Sequence, residues 1–386
     1  MRPELSLEER SEIARKIAAT ATEELPEAQA FGAPAEGVEA AAAGYRFDDS
    51  LLLGGDDRFQ TAMVASWYSG LGDEDGDGEI DADEVAAPVV YVVDGMNFPD
   101  ALSAAAPAAH NGGVLLMTKT DTLPGSTKFE LERLHPEKVV LVGGTAAISE
   151  QVAGQIGDLT GAVVERRAGA NRYETARAVI ETAYPDGPLS SFVYLASGVN
   201  FPDALAAGAP AALFGVPIVL IDGRKDTIDA ETLAFLDHLG VTGAEIAGGT
   251  AAISTGIQAQ LEEIYGTDGQ VLRSSGATRY ETAAALVEAA HGFVYDDTRA
   301  DADPSNDFPV FEAYFASGRD FPDALSGGAI AGYWAEPFYP LDERCGVAPA
   351  VADSLAHLEP SYSIFLGDQS TELHRGVVED GVLAVC

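Results

Sequence analysis

The chain has 386 residues, which at roughly 150 residues per domain makes two or three domains. Its 62 acidic residues against 22 basic ones give a formal net charge of −40, and the only lysines are Lys16, Lys119, Lys128, Lys138 and Lys225. With no basic cluster, duplex DNA and anionic membranes are excluded as partners, and an apolar fraction of 47% excludes disorder.

In chain order, Met1 to Thr22 reads as a charged amphipathic helix without the apolar stretch of a signal peptide. Either a secretory leader is missing from this sequence, or the chain is a fragment, or it is cytosolic; a missing leader is the expectation. A motif G-x-x-R-[FY]-x-T-A follows at Gly55–Ala62, with Arg58 at its centre. It returns at Gly169–Ala176 around Arg172 and at Gly276–Ala283 around Arg279. The arginines lie about 110 residues apart, far beyond the roughly 20–50 residues of a solenoid repeat. Each copy is therefore a small domain or nearly one.

A second segment follows each arginine: DGMNFPDALSA (Asp94–Ala104), SGVNFPDALAA (Ser197–Ala207) and SGRDFPDALSG (Ser317–Gly327). A third follows again: VLVGGTAAIS (Val140–Ser149), EIAGGTAAIS (Glu245–Ser254) and IFLGDQS (Ile364–Ser370). In the second copy the pattern predicts a helix over Arg172–Ala183 and a strand over Phe192–Ala196. A helix follows over Pro202–Phe214, with Pro202 at its first position, then a strand over Pro217–Ile221. A helix over Asp229–Leu239 stops at Gly240. A strand over Ala244–Ala247 leads to a helix capped by Ser254. Ala204–Ile221 is uncharged, but Gly208, Pro210, Gly215 and Pro217 interrupt it, so no membrane span is predicted. Alternating helices and continuous apolar strands predict an α/β fold with mainly parallel sheets.

These three motifs, recurring three times in one order, resemble the type 2 cell-wall-binding repeat of Gram-positive bacteria. The resemblance covers Tyr45 to Cys386. It implies three tandem Rossmann- or Toprim-like units packed as a pseudo-threefold trimer: 45–165, 166–270 and 271–386, after an N-terminal helix and linker over 1–44. It also implies a non-catalytic, secreted module that anchors a surface protein non-covalently to an anionic wall polysaccharide. A catalytic or adhesive domain would lie outside this chain.

The alternatives left open are a calcium-dependent structural or adhesive surface protein without wall affinity and, third, a wall hydrolase. No H-E-x-x-H or G-x-S-x-G motif occurs. Three near-identical copies suit binding or packing better than one asymmetric active site.

Among the recurring residues, Arg58, Arg172 and Arg279 read in two ways, as internal partners of Asp100, Asp203 and Asp323 or as polymer contacts. Phe98, Phe201 and Phe321 read as core residues. The turns Gly143-Gly144 and Gly248-Gly249 follow strands, where ligands of parallel sheets gather and backbone N–H groups can meet an anion. They are the other candidate polymer contacts. The third copy has Gly367-Asp368 instead.

The first copy carries an insertion, 73–84, that matches an EF-hand calcium loop. Asp73, Asp75, Asp77, Glu79 (by its carbonyl), Asp81 and Glu84 are its candidate ligands, and Gly78 makes the sharp turn. Pro88 leaves no room for a full exiting helix. A weaker match in the third copy runs from Asp301 to Glu312, with Pro309 at an unusual position. Cys345 and Cys386 fit either one disulfide or two free thiols. A disulfide pinning the chain end is the sharper expectation, and it implies an oxidising exterior.

Overall fold

The computed structural model describes residues 44–73, 80–81, 84–97, 99–266, 270–294, 310–342, 346–367 and 382–384. The N-terminal helix expected over the first 22 residues lies outside them. The strands are β1 (Gly44–Arg46), β2 (Asp49–Leu53), β3 (Val90–Asp94), β4 (Val114–Thr118), β5 (Lys138–Val142), β6 (Val163–Arg167) and β7 (Phe192–Ser197). They continue as β8 (Ile218–Ile221), β9 (Gly243–Ala247), β10 (Val271–Ser274), β11 (Glu312–Ser317), β12 (Phe338–Leu341), β13 (Tyr362–Leu366) and β14 (Val382–Ala384).

Among the described residues they form three four-stranded parallel sheets, ordered β4-β3-β5-β6, β8-β7-β9-β10 and β12-β11-β13-β2. Every residue of β3, β4, β8, β9, β11 and β12 is buried. Continuous apolar runs of this kind mark strands covered on both faces.

Sheets and sequence repeats are offset by one strand. The strand before each arginine helix leaves its own repeat and completes the preceding sheet. Thus β6 pairs with β5, and β10 pairs with β9. For the first such strand, β2, no preceding sheet lies among the described residues. This strand pairs instead with β13 of the last copy, Leu52 opposite Phe365 and Leu53 opposite Leu366. The antiparallel pair β1–β14 sets Gly44 opposite Ala384. The three units therefore close into a ring.

The helix expected over Pro202–Phe214 is two helices, Pro202–Ala206 and Gly208–Leu213. Pro210 has no N–H to give the Ala206 carbonyl, and its ring crowds the turn before it. The first copy, with Pro107, is broken likewise into a 3-10 turn, Ala101–Ser103, and a helix, Ala105–His110. The third copy has Ile330 at this position, and its helix runs unbroken over Pro322–Trp334. These second helices, one per unit, pack against one another. The approach is close: a Cβ on Gly332 would stand 2.7 Å from the Ala212 Cβ and 3.5 Å from that of Ala109. That contact accounts for the alanine and glycine richness of the segments.

Candidate functional site

In each sheet, the first and third strands of the unit lie side by side, and their connections leave in opposite directions. This is the switch point where parallel sheets hold ligands beyond their carboxyl ends. The F-P-D turn follows the first of these strands and the glycine turn follows the third. Gly143, Gly248 and Gly367 have φ of +109°, +112° and +85°, a region that L side chains avoid. A side chain there would also run into the carboxylates of Asp100, Asp203 and Asp323 respectively. The recurring Asp and the recurring Gly are thus two halves of one contact.

The arginine motif is a helix N-terminus. Asp57 and Asn171 cap their helices through backbone N–H groups of the first turn. Gln60, Glu174 and Glu281 reach back one residue beyond the position used in a capping box, to the N–H groups of Asp56, Ala170 and Ala277. The motif threonine has its own task. The Thr175 hydroxyl accepts from the Gly169 N–H at 3.1 Å and bonds the Asp100 carboxylate. Thr282 accepts from the Gly276 N–H at 3.1 Å.

Each arginine donates through Nη1 to a glycine carbonyl of its own repeat: Arg58 to Gly95 at 2.7 Å, Arg172 to Gly198 at 2.5 Å and Arg279 to Gly318 at 2.6 Å. Each also faces the F-P-D turn of another repeat. Arg58 stands 3.7 Å from Asp320 and 5.8 Å over the Phe321 ring. Arg279 lies 5.7 Å over Phe201. The charges of Arg172 and Arg279 act on Asp100 and Asp203. The expected arginine–aspartate association therefore lies between units, across their seams, and not inside each unit. Phe201 and Phe321 meet edge to face at 6.5 Å. Phe98 lies outside the described residues.

Burial is the largest influence on the seam carboxyls. It pushes Asp203 up to about 6 against the pull of Arg279. It raises Asp100 against the Thr175 hydrogen bond and the Arg172 charge. Asp94, 7% exposed, is raised by burial, with its bond from the Met96 N–H opposing and Asp100 adding.

Two arginines escaped the motif reading. Arg166 on β6 donates to the Gly143 carbonyl at 3.0 Å. Arg273 on β10 donates to the carbonyls of Gly248 at 2.7 Å and Ile253 at 3.1 Å. Their shared place shows only once β6 and β10 are paired with the preceding sheets.

Of the calcium-loop residues, Asp73, Asp81 and Glu84 are described; Asp75, Asp77 and Glu79 lie outside the described residues. Gly72 and Val85 form an antiparallel bridge, the Gly72 N–H reaching the Val85 carbonyl at 2.8 Å. The first and last loop positions are thus held at one place. Both flanks are tied to one helix end, Asp73 N–H to the Arg133 carbonyl at 2.8 Å and Ala87 N–H to that of Leu134 at 2.9 Å. That helix, Gly125–Leu134, is fixed by the fully buried Glu130, which accepts from Arg133 at 2.8 and 2.9 Å and from the Trp67 indole. The Asp81 N–H donates to the Glu84 carboxylate at 2.9 Å.

Among the described residues no three His, Cys, Asp or Glu side chains are grouped to hold a metal. In the weaker third-copy match, Asp301 through Pro309 lie outside the described residues. Glu312 is a buried strand residue that accepts from the hydroxyls of Tyr68 at 2.5 Å and Tyr314 at 2.6 Å. Cys345 and Cys386 lie outside the described residues.

The structure is thus an α/β assembly of three repeated units with a recurring Arg–Asp–Gly seam. The family described as Cell wall binding domain 2 (CWB2) matches the chain at residues 53–153, 166–258 and 273–367. The chain belongs to this family. It is 30% identical over 281 residues to N-acetylmuramoyl-L-alanine amidase LytC of Bacillus subtilis (strain 168), a match covering 72% of this chain and 47% of that relative. It is 24% identical over 291 residues to Amidase enhancer of the same organism, covering 74% and 36%. The chain therefore spans less than half the length of either relative. In fold it is similar to Cwp6 from Clostridium difficile, with a TM-score of 0.73 at 23% identity over 92% of this chain and 51% of that one. Cwp8 from the same organism gives 0.66 at 21% identity, covering 86% and 51%. No helix among the described residues is long and apolar enough to cross a membrane.

Proposed function

We propose that this chain is a secreted, non-catalytic module that holds a surface protein non-covalently on an anionic polysaccharide of the cell wall. The observation that carries the reading is the coincidence of three family matches with three seams built from the same residue types. A seam of this kind can offer a carbohydrate chain backbone N–H groups and guanidinium groups at the carboxyl ends of parallel strands. The relatives' names speak of an amidase and an amidase enhancer. For this chain we assign binding alone, because three repeated seams offer no single asymmetric centre for catalysis. The ring closure and the shared three-helix contact support a pseudo-threefold arrangement.

Calcium completes the proposal. The bridge at Gly72 and Val85 gathers Asp73 and Glu84 at the loop's base, as a cation shared between the first and last positions requires. Asp75, Asp77, Glu79 and Asp81 would supply the remaining oxygens, and the bound ion would neutralise part of the local acid excess.

The experiment is co-sedimentation of the purified chain with Bacillus subtilis cell walls that keep their anionic polymer, across salt and calcium concentrations. Retention on the walls is expected. Absence of retention under every condition rejects the reading.

A further inference from the structure

Resting on the wall-binding reading, the geometry points to an unequal division among the three seams. The two between consecutive repeats take the anionic polymer, and the seam that closes the ring does not. Three positions, at separate places in the sequence, carry the argument.

The first is the strand that each repeat gives to its neighbour. Arg166 sits opposite Leu141, Arg273 opposite Ile246 and Leu52 opposite Phe365, the same place in three sheets. The two arginines hold the Gly143 and Gly248 carbonyls, and Arg166 also stands 3.2 Å from the exposed Glu150 carboxylate, which offsets its charge in part. At the closing seam Leu52 supplies neither a charge nor a donor.

The second is the residue after the left-handed glycine. A Cβ added at Gly144 would meet no atom outside its chain neighbours within 4 Å, and one at Gly249 would meet only the Ser275 Cβ, at 4.0 Å. An anion can approach these backbones closely. The closing seam has Asp368 in the sequence here, a residue outside the described ones.

The third is the residue before the motif phenylalanine: Asn97, Asn200 and Asp320. Asn200 and Asp320 make the same local bond, accepting from the next backbone N–H at 3.1 and 2.9 Å. The local backbone bond is therefore kept while the charge changes. Asp320 faces Arg58 at 3.7 Å, so the closing seam carries a carboxylate beyond the one that each seam has in Asp100, Asp203 or Asp323. Arg319, a cation peculiar to that turn, is paired with Asp342 at 3.1 Å.

All three changes make the closing seam less attractive to an anion, by loss of positive charge or gain of negative charge. The first unit has an extra carboxylate of its own, Asp94, but it is buried and bonded to the Met96 N–H. The closing seam joins the ends of the ring, and its charges serve that contact.

The test is calorimetric titration of the full chain with soluble anionic polymer fragments released from purified Bacillus subtilis walls. The native chain is expected to bind two fragments. Gly144→Asp and Gly249→Asp, which copy the closing seam's sequence, should each leave one, and the double variant none. Asp320→Asn should leave two. Circular dichroism and melting confirm that each variant folds. If an aspartate disturbs a turn, Thr145→Asp and Thr250→Asp, at exposed neighbouring positions, place the same charge. Three fragments on the native chain, or one left on the double variant, overturn the division. No binding by the native chain overturns the wall-binding reading itself, and the division with it.

Discussion

Leu53 lies in parallel register beside Leu366, more than three hundred residues further along the chain. Leu53 is 1% exposed, whereas Val163, on the equivalent strand β6, is 61% exposed. The contact holds the ring shut, so its loss is felt by the first and last units together. Leu53→Ala is expected to cost about 2–5 kcal/mol in urea denaturation. Val163→Ala should stay within about 0.5 kcal/mol of the parent.

Gly248 and Gly249 are neighbours with opposite demands. Gly248 has φ +112° and lies against Asp203, so alanine there is both strained and obstructed. Gly248→Ala should destabilise by more than about 1 kcal/mol. Gly249→Ala should be tolerated, and chemical denaturation of the two variants side by side checks the contrast.

These second helices contain their own control. Pro107 and Pro210 coincide with a break, and Ile330 coincides with a continuous helix. Ile330→Pro removes a helical bond and places a ring against the preceding turn, at a cost of about 3 kcal/mol or more. A large fall in melting temperature is the expected result.

Two buried groups give stability opposite dependences on pH. His291 is 3% exposed, and burial pushes it down to about 4. The native state then binds fewer protons than the unfolded chain between about pH 4 and 6.5. Its contribution is complete above that window and is lost as the pH falls through it. Asp203, pushed up to about 6, binds more protons when folded, so its contribution is lost as the pH rises from about 4 to 6. In urea midpoints measured from pH 4 to 7, His291→Gln should flatten the acid loss and Asp203→Asn should steepen it.

Calcium at about a hundred times its dissociation constant should stabilise the chain by about 2.7 kcal/mol. Asp73→Ala combined with Glu84→Ala should abolish that gain. The measurement is melting in calcium against melting in chelator, and an unchanged calcium response in the double variant counts against the loop.

Much of each unit was legible because its determinants are local. Apolar runs such as Val90–Val93, the proline at the start of a helix and Gly240 after one all act within a few residues. What the sequence concealed was partnership. Leu51–Leu53 reads as a short apolar strand, but nothing local says that its neighbour is β13. For the same reason the motif order pairs Arg58 with Asp100, whereas the structure sets it beside Asp320. Arg166 and Arg273 share no motif, and pairing with the preceding sheet alone gives them a common place. The break before Pro210 was legible in principle, since a helix interior does not accept that ring.

The offset between strand and repeat also fixes how many copies such a chain can hold. An open solenoid lengthens by one unit and keeps all its existing contacts. Here β2 fills the vacancy left by the last sheet, so an added copy would have to part β2 from β13 and reset every angle around the ring. Copy number is therefore a geometric constant of the molecule, and divergence must proceed by changing residues within a seam.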